Sequence, residues 1–331
     1  MKKQYFRAKR GNAGIMLLCV CIYFSACTLA FGTGQRENSL KWDRNGTTAV
    51  VTGLNGKAMG ISIPGILDGL TVTAIGDNAF KGKNMSRAEI PESVTIIGDS
   101  AFRGNFLTSV NLPARLTRIG AGAFYGSRLT NIAIPEGVTV IEGYVFQKNN
   151  LDTIKLPDTV TIVGISAFAN NQLTGTLRLP RSVRSIGNSA FKENLLSGTL
   201  EIPQSVTEIG AMAFSNNRLN GIRLPDNITV ISAMAFSNNR ISNITIPASV
   251  TIIEERAFAF NLINEVIIPE NVREIKNNAF GDNPITRITI GDGVTLHRSS
   301  FPNGFAGFYN HRKMGKKAGT YVYANSVWTI L

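Results

Sequence analysis

The sequence predicts a repeat solenoid, in which one small unit is stacked about ten to eleven times. Neighbouring phenylalanines are 22 residues apart, except for two steps of 23 residues between Phe168 and Phe214. The repeating phenylalanines, most of them preceded by alanine, are Phe80, Phe102, Phe124, Phe146, Phe168, Phe191, Phe214, Phe236, Phe258 and Phe280. Proline keeps the same step, at Pro91, Pro113, Pro135, Pro157, Pro180, Pro203, Pro225, Pro247 and Pro269.

Each unit contains two short extended segments. In the third unit, Ile132 and Ile134 alternate with an outward-facing position, which is typical of a half-buried strand. Pro135 ends this strand because it has no N–H to donate to a neighbouring strand. Leu116 and Ile119 of the same unit predict a second short strand or an extended turn.

The corner after the second segment is rich in glycine. We expect a positive φ there, which glycine adopts without strain. The alanine and phenylalanine that follow place a small and a large side chain in one core layer. The corner glycines are Gly76, Gly98, Gly120, Gly164, Gly187 and Gly210.

Asparagine follows the phenylalanine by three residues in most units. A side-chain amide can satisfy backbone groups at a tight turn, so a stacked asparagine ladder is predicted, in preference to a row of ligand-binding amides. Lys83 and Ser127 are the exceptions. The predicted ladder consists of Asn105, Asn149, Asn171, Asn194, Asn217, Asn239, Asn261 and Asn283.

The complete repeat, L-x-x-I-x-I-P…V-T-x-I-G-x-x-A-F-x-x-N, resembles the BspA-like leucine-rich repeats of bacterial surface proteins, and closely those of treponemal leucine-rich repeat proteins. The resemblance runs from about Leu54 to Phe301. Residues 45–75 and 317–328 resemble the family's N-terminal segment and closing hairpin. The resemblance implies a leucine-rich solenoid that binds proteins at the cell surface, and it implies no catalytic residues.

The N-terminus has the features of an export signal, because basic residues precede the apolar run at positions 15–24. Cys27, after Ser25 and Ala26, resembles a lipoprotein attachment site, and ordinary cleavage after Ala30 is the alternative. We therefore expect an outer-membrane or cell-surface lipoprotein, with secretion or a periplasmic location left open. The predicted divisions are a signal peptide (1–26), a flexible linker (27–39), an N-terminal cap (40–63), the solenoid (64–301) and a C-terminal closing hairpin (302–331).

The chain is basic with or without the predicted signal. The chain has 34 basic and 22 acidic residues, a net charge of +12. Without the five basic residues of the signal, 29 basic residues remain against 22 acidic ones, a net charge of +7. This favours acidic partners such as polyanionic glycans or acidic protein surfaces, and no nucleic-acid-binding module is present.

The cysteines, Cys19, Cys21 and Cys27, all lie outside the solenoid, so no disulfide framework is expected.

The sequence lacks the residue combinations and motifs that are typical of enzyme active sites. The two histidines, His297 and His311, lie in the degenerate C-terminal region, and no zinc, phosphate-loop or serine-hydrolase motif occurs. We therefore expect no catalytic residues, no metal and no cofactor.

A partner is expected on the exposed positions of the strands, because the core positions are fixed by packing. Lys155, Arg178, Glu201 and Arg223 occupy the same exposed position in successive units and form a net basic band. They are the candidate ligand-binding residues, and a solvated face with charges spread for solubility is the alternative. The expected function is adhesin-like attachment to proteins of host or neighbouring cells. The alternative is a structural or scaffold protein of the periplasm or envelope.

Overall fold

The structure is a computed structural model that describes residues 40–297, 299–302, 318–325 and 327–331. Within these ranges the chain consists of strands and turns wound into a β-solenoid, so the predicted repeat solenoid is confirmed. The described residues include no apolar helix of membrane-spanning length.

A small sheet precedes the first full coil. Its first two strands form an antiparallel hairpin, and the second strand pairs in parallel with the fifth. The hairpin therefore covers the edge that the first coil would otherwise expose. The strands of this region are β1 (Leu40–Asn45), β2 (Thr48–Leu54), β3 (Gly60–Ser62), β4 (Ile66–Leu67) and β5 (Leu70–Ile75), of which β3 lies outside this sheet.

The first strand ladder of the solenoid is built from two-residue strands. Neighbouring strands pair in parallel one coil apart, as Ile96 does with Arg118 and Ile97 with Ile119, except between Ile119 and Val140 and between Ile209 and Val230. After β5 the ladder comprises β7 (Ile96–Ile97), β8 (Arg118–Ile119), β9 (Val140–Ile141), β10 (Ile162–Val163), β12 (Ser185–Ile186), β14 (Glu208–Ile209), β16 (Val230–Ile231), β18 (Ile252–Ile253), β20 (Glu274–Ile275) and β22 (Thr295–Leu296).

The second ladder contains two of the candidate binding residues, Glu201 and Arg223, and is called the exposed-strand ladder. Its inward side chains are buried and its outward side chains are exposed. In the strand Glu265–Ile268, for example, Val266 and Ile268 are buried, whereas Glu265 and Ile267 are exposed. The ladder comprises β3, β6 (Arg87–Glu89), β11 (Thr174–Gly175), β13 (Leu195–Glu201), β15 (Arg218–Arg223), β17 (Asn243–Ile244), β19 (Glu265–Ile268) and β21 (Arg287–Ile290).

The exposed-strand ladder is interrupted between β6 and β11, and again between β17 and β19. The strand predicted around Ile132 and Ile134 is not formed, although both side chains are buried as expected. Isolated backbone hydrogen bonds link these coils instead, such as the one that Thr130 N–H donates to Thr108 O at 3.1 Å. Burial of the apolar side chains therefore holds these coils in register without a continuous strand.

A hairpin closes the C-terminal end. β23 (Gly319–Ala324) pairs antiparallel with β21 and with β24 (Val327–Ile330). The buried Tyr321 lies opposite Ile288, and the ring of Tyr323 lies 5.2 Å from that of Trp328. The reversal of strand direction ends the parallel stacking.

A column of phenylalanine rings runs through the core. The ten repeating phenylalanines are fully buried, and neighbouring rings lie 5.3–5.9 Å apart between centroids. Phe301 continues the column, 5.1 Å from Phe280. The interplanar angles of 1–23° are those of stacked rings, which adds favourable contact to the apolar area that each ring buries.

The turn that carries the phenylalanine is bonded to the next coil by its backbone. Phe168 N–H donates to Ala190 O at 2.8 Å, and Ser166 N–H donates to Asn188 O at 2.8 Å. Ser166 and Asn170 have φ values of 52° and 57°, so left-handed residues stand on both sides of the phenylalanine. Each coil is therefore tied to its neighbours at this turn as well as at the two strand ladders.

The role predicted for the corner glycines is wrong. None of them has a positive φ. A Cβ at Gly120 would lie 2.5 Å from Asp99 N, and one at Gly187 would lie 2.7 Å from Ile165 N. Close approach to the backbone of the preceding coil, and not an unusual φ, therefore accounts for glycine at these positions.

Truncation of a central ring tests the phenylalanine column. Phe168→Ala should lower the free energy of unfolding by about 3–5 kcal/mol, because it opens a cavity between two stacked rings. Chemical denaturation followed by circular dichroism measures the loss. The control is Leu262→Ala, which removes an apolar side chain that is 54% exposed and should change the free energy of unfolding far less. Equal losses in the two variants would contradict the central role of the column.

Candidate functional site

The eight asparagine side chains lie beside the phenylalanine column and bond the backbone carbonyl groups of successive phenylalanines. The amide Nδ2 of Asn105 donates to Phe80 O and Phe102 O, both at 2.8 Å, and its Oδ1 accepts from Met85 N–H at 2.9 Å. Asn171 repeats this arrangement with Phe146 O, Phe168 O and Leu151 N–H. These side chains are buried, and their polar atoms bond backbone groups of two coils. The geometry is that of turn-capping residues, with nothing presented to a ligand.

The two exceptions to the asparagine pattern have different consequences. Lys83 directs its Nζ to Leu54 O and Gly56 O, both at 3.3 Å, and so bonds the first coil to the N-terminal cap. Ser127 is too short to bridge two coils, and its buried Oγ has no hydrogen-bond partner. Leu107 N–H consequently lacks the amide acceptor that the equivalent N–H groups receive. Ser127 is therefore a gap in the asparagine ladder.

Of the four candidate binding residues, Glu201 lies in β13 and Arg223 in β15, whereas Lys155 and Arg178 lie outside the strands. Glu201 pairs directly with Arg223 in the register of β13 and β15, and their side chains form an ion pair at 3.3 Å. Both side chains are at least 70% exposed, so this pair contributes little to stability. Lys155 and Arg178 are also exposed.

The two 23-residue steps create a local change in the ladder. Their extra residues are accommodated at Gly175 and Gly198, whose φ values are 68° and 76°. The pairing of β13 with β15 shifts register between Gly198 and Thr199, as it does at a β-bulge that contains a left-handed glycine. The bulges displace the strands of these coils relative to the regular 22-residue coils.

A groove of about 820 Å³ lies beside the bulges. It brings Arg178, Glu201 and Arg223 together, whereas Lys155 lies in a separate hollow of about 320 Å³ with Thr153 and Asn131. The groove also contains polar residues that the sequence analysis did not single out: Asp158, Thr176, Arg181, Ser182, Thr199 and Gln204. The irregular 23-residue steps were the signal in the sequence that could have pointed to them.

The groove is mildly basic. Arg178, Arg181 and Arg223 outnumber Asp158 and Glu201 among its lining residues. Arg178 and Arg181 form no ion pair with any residue that the structure describes. Two guanidinium groups are therefore available to a ligand, each with several N–H donors in a planar fork that matches a carboxylate.

Two ionisable groups with shifted pKa values lie elsewhere, in pairs that connect charged side chains. The hydroxyl of Ser62 and the guanidinium of Arg87 lower the pKa of Glu89. The carboxylate of Glu254, 2.8 Å away on the preceding coil, raises the pKa of Lys276. Both shifts favour the charged forms, which suits surface ion pairs better than acid–base catalysis.

Among the residues that the structure describes, histidine and acidic side chains do not converge on one site. His297 Nε2 lies 2.8 Å from Glu274 Oε1 in the last coils, far along the chain from the groove. The described residues contain no cluster of three or more histidine, cysteine or acidic side chains that could hold a metal ion. Cys27 and His311 lie outside the described residues.

Comparison with known proteins gives one family and several similar folds. The sequence profile described as "BspA type Leucine rich repeat region" matches residues 73–197 and 194–304, with six copies. No match was found among curated proteins.

Similar solved structures come from several bacteria. A leucine rich cell surface protein of Faecalibacterium prausnitzii is 24% identical, with a TM-score of 0.50, over 80% of this chain and 90% of that chain. A leucine-rich repeat protein of Bacteroides ovatus is 22% identical, with a TM-score of 0.56, over 80% of this chain and 66% of that chain. The pneumococcal vaccine antigen PcpA is 17% identical, with a TM-score of 0.53, over 80% of this chain and 89% of that chain.

These likenesses show a shared fold. A leucine rich repeat protein of T. pallidum also matches at 20% identity, but its TM-score of 0.25 is too low to compare the two structures.

Filling the gap in the asparagine ladder should stabilise the protein. Ser127→Asn supplies donors for Phe102 O and Phe124 O and an acceptor for Leu107 N–H, by analogy with the neighbouring Asn105 and Asn149. We expect the free energy of unfolding to rise by about 1 kcal/mol or more, since each net hydrogen bond contributes about 0.5–1.5 kcal/mol.

Chemical denaturation measures the effect, with Ser93→Asn as the matched control. Ser93 also has a buried Oγ without a partner, but it lies outside the ladder, so its substitution should give no gain. A Ser127→Asn variant that is no more stable than the parent would contradict the capping role of the ladder.

Proposed function

Because the chain belongs to the family of BspA type leucine rich repeat proteins, we propose that it is a non-catalytic cell-surface protein that attaches to proteins of host or neighbouring cells. The groove beside the bulged strands is the proposed contact surface. The observation that carries this proposal is the convergence of Arg178, Arg181 and Arg223 in one open groove on the exposed-strand ladder.

The size of the groove suits a side chain or a short segment of a partner protein. Its volume of about 820 Å³ falls in the range of ligand sites, but its polar walls are open to solvent. Arg178 and Arg181 offer forked donors to a carboxylate, and the Arg223–Glu201 pair offers a second contact of mixed charge. An acidic segment of a partner protein is therefore the proposed ligand.

The composition of the groove supports a binding role over catalysis. Its lining contains no histidine, cysteine or lysine, so it offers no general base of neutral pKa and no thiol nucleophile. Its carboxyl groups, Asp158 and Glu201, lie among three arginines. These groups can bind and orient a ligand by charge and hydrogen bonding.

The proposed location is the cell surface, after export by the N-terminal signal. The similar protein from Faecalibacterium prausnitzii is described as a cell surface protein, which agrees with the location expected from the N-terminal sequence. Cys27 is the proposed lipid attachment site, and the described solenoid would be carried outside the membrane by this anchor.

Reversing the charge of the three groove arginines should weaken attachment to cells. In the groove variant, Arg178, Arg181 and Arg223 are replaced by glutamate, and its binding to cultured epithelial cells should fall by about tenfold or more, equivalent to about 1.4 kcal/mol. Folding should be unchanged, because substitutions at exposed positions cost about 0.5 kcal/mol or less. Flow cytometry with fluorescently labelled protein measures the binding, and circular dichroism checks the fold.

The control variant exchanges Arg184, Arg240 and Arg273 for glutamate, which changes the net charge equally at exposed sites outside the groove. Mild protease treatment of the cells should remove binding by the parent, because the proposed receptor is a protein. The proposal fails if the groove variant binds as well as the parent, or if the binding survives protease treatment.

Lipid attachment is tested in cells that process bacterial lipoproteins. Metabolic labelling with a fatty acid should mark the parent and leave Cys27→Ser unlabelled. Label retained in Cys27→Ser, or absent from the parent, would favour cleavage after Ala30.

A further inference from the structure

A second surface lies at the turns that follow the phenylalanines in the first four coils, and it is called the basic corner. Successive coils are joined there by backbone hydrogen bonds, from Gly82 N–H to Arg103 O and from Gly104 N–H to Tyr125 O, both at 2.8 Å. The side chains of the basic corner are Lys81, Arg103, Phe106, Tyr125, Arg128 and Lys148.

Aromatic rings contact three of the four cations of the basic corner, Arg103, Arg128 and Lys148. The guanidinium carbon of Arg103 lies 3.9 Å from the centroid of the Tyr125 ring, and Lys148 Nζ lies 5.6 Å from the same centroid. Arg128 lies over the Phe106 ring at 4.4 Å. These distances are those of cation–π contacts, which restrict the arginine side chains while leaving their N–H groups free to donate. The donors are therefore positioned before any ligand binds.

The charges of the basic corner are not neutralised by the protein. Elsewhere on the solenoid, Arg118 lies 2.7 Å from Asp99 and Arg287 lies 3.2 Å from Glu265. Among the described residues, the four cations of the basic corner have no ion pair and no side-chain hydrogen bond. Its turn segments, 81–84, 103–106, 125–128 and 147–150, contain no acidic residue. The positive potential therefore extends along all four coils.

We propose that the basic corner binds a linear sulfated polysaccharide. Neighbouring coils are about 4.8 Å apart, so the cations are spread along the solenoid axis over about 15 Å. A single anion cannot contact all of them, whereas a chain with repeated anionic groups can. Arginine binds oxyanions through paired N–H donors, which suits the sulfate groups of such a chain.

Other polyanions match the basic corner less well. Single-stranded nucleic acids gain affinity by stacking their bases on exposed aromatic rings, but here Arg103 and Arg128 already cover the rings of Tyr125 and Phe106. A protein partner needs an apolar centre in the interface, and the Phe106 ring, beneath Arg128, is the only large apolar side chain of the basic corner that is classed as exposed, at 41%. A hydrophilic polymer recognised by charge needs neither feature.

Heparin is the probe for this proposal. The corner variant replaces Arg103, Arg128 and Lys148 by glutamine, and its affinity for immobilised heparin should fall by about tenfold or more at 0.15 M salt, where exposed charges are partly screened. The slope of log affinity against log salt should also fall, because fewer counterions are released when fewer cations are engaged. Tyr125→Leu, which keeps every charge, should weaken binding less, by loosening Arg103 and Lys148.

The control variant replaces Arg184, Arg240 and Arg273 by glutamine and should keep most of the heparin affinity. The groove variant should likewise retain heparin binding, and the corner variant should retain protease-sensitive attachment to cells lacking sulfated glycans, so the two surfaces are tested separately. Unaltered heparin binding by the corner variant overturns the proposal, and so does an equal loss in the control variant. Equal or tighter binding of single-stranded DNA or polyglutamate through the same residues would also overturn it, and would assign the basic corner to those polymers.

Discussion

The stacking of one coil on the next is the constraint on which the rest of the structure depends. A single coil has two very short strands and exposes most of its apolar residues, so it has no core of its own. Stacking creates the core, because each phenylalanine ring is covered by the rings above and below it. The asparagine amides then bond the backbone carbonyl groups of successive phenylalanines along the ring column, as Asn171 does for Phe146 and Phe168. Packing and hydrogen bonding therefore both require one phenylalanine and one turn residue in register in each coil.

This arrangement separates the residues that fold the protein from those that can bind. The inward positions repeat with little freedom, and the gap at Ser127 shows what happens when one of them departs from the pattern. The outward positions can vary without affecting the stack. The groove arises where the period itself changes, since the extra residues at Gly175 and Gly198 bulge the strands and leave Arg178 and Arg181 beside an open space. An insertion of one residue is enough to turn a regular ladder into a candidate site.

Both proposed surfaces present basic side chains, but the groups around those side chains differ. In the groove, arginines stand near Glu201 and Asp158, so the local charge is mixed and favours a partner of defined shape. At the basic corner Arg103, Arg128 and Lys148 lie against aromatic rings and form no ion pair with a described residue, so the charge is uniform and extended. A surface protein with both features could bind a protein receptor and an anionic polymer at the same time, and the combined binding would exceed that of either contact alone.

Periodicity in the sequence was enough to predict the solenoid, the phenylalanine column and the positions of the turn asparagines, because each is a local feature repeated in register. The sequence could not predict the missing strand around Ile132, since strand formation depends on how closely adjacent coils approach. The corner glycines were misread for the same reason, because the backbone that crowds Gly120 belongs to another coil. The tertiary structure alone decided that Arg178 shares a groove with Arg223 while Lys155 does not, and that Arg103 covers Tyr125. These relations follow from register shifts and side-chain directions between coils, which the spacing of residues along the chain does not contain.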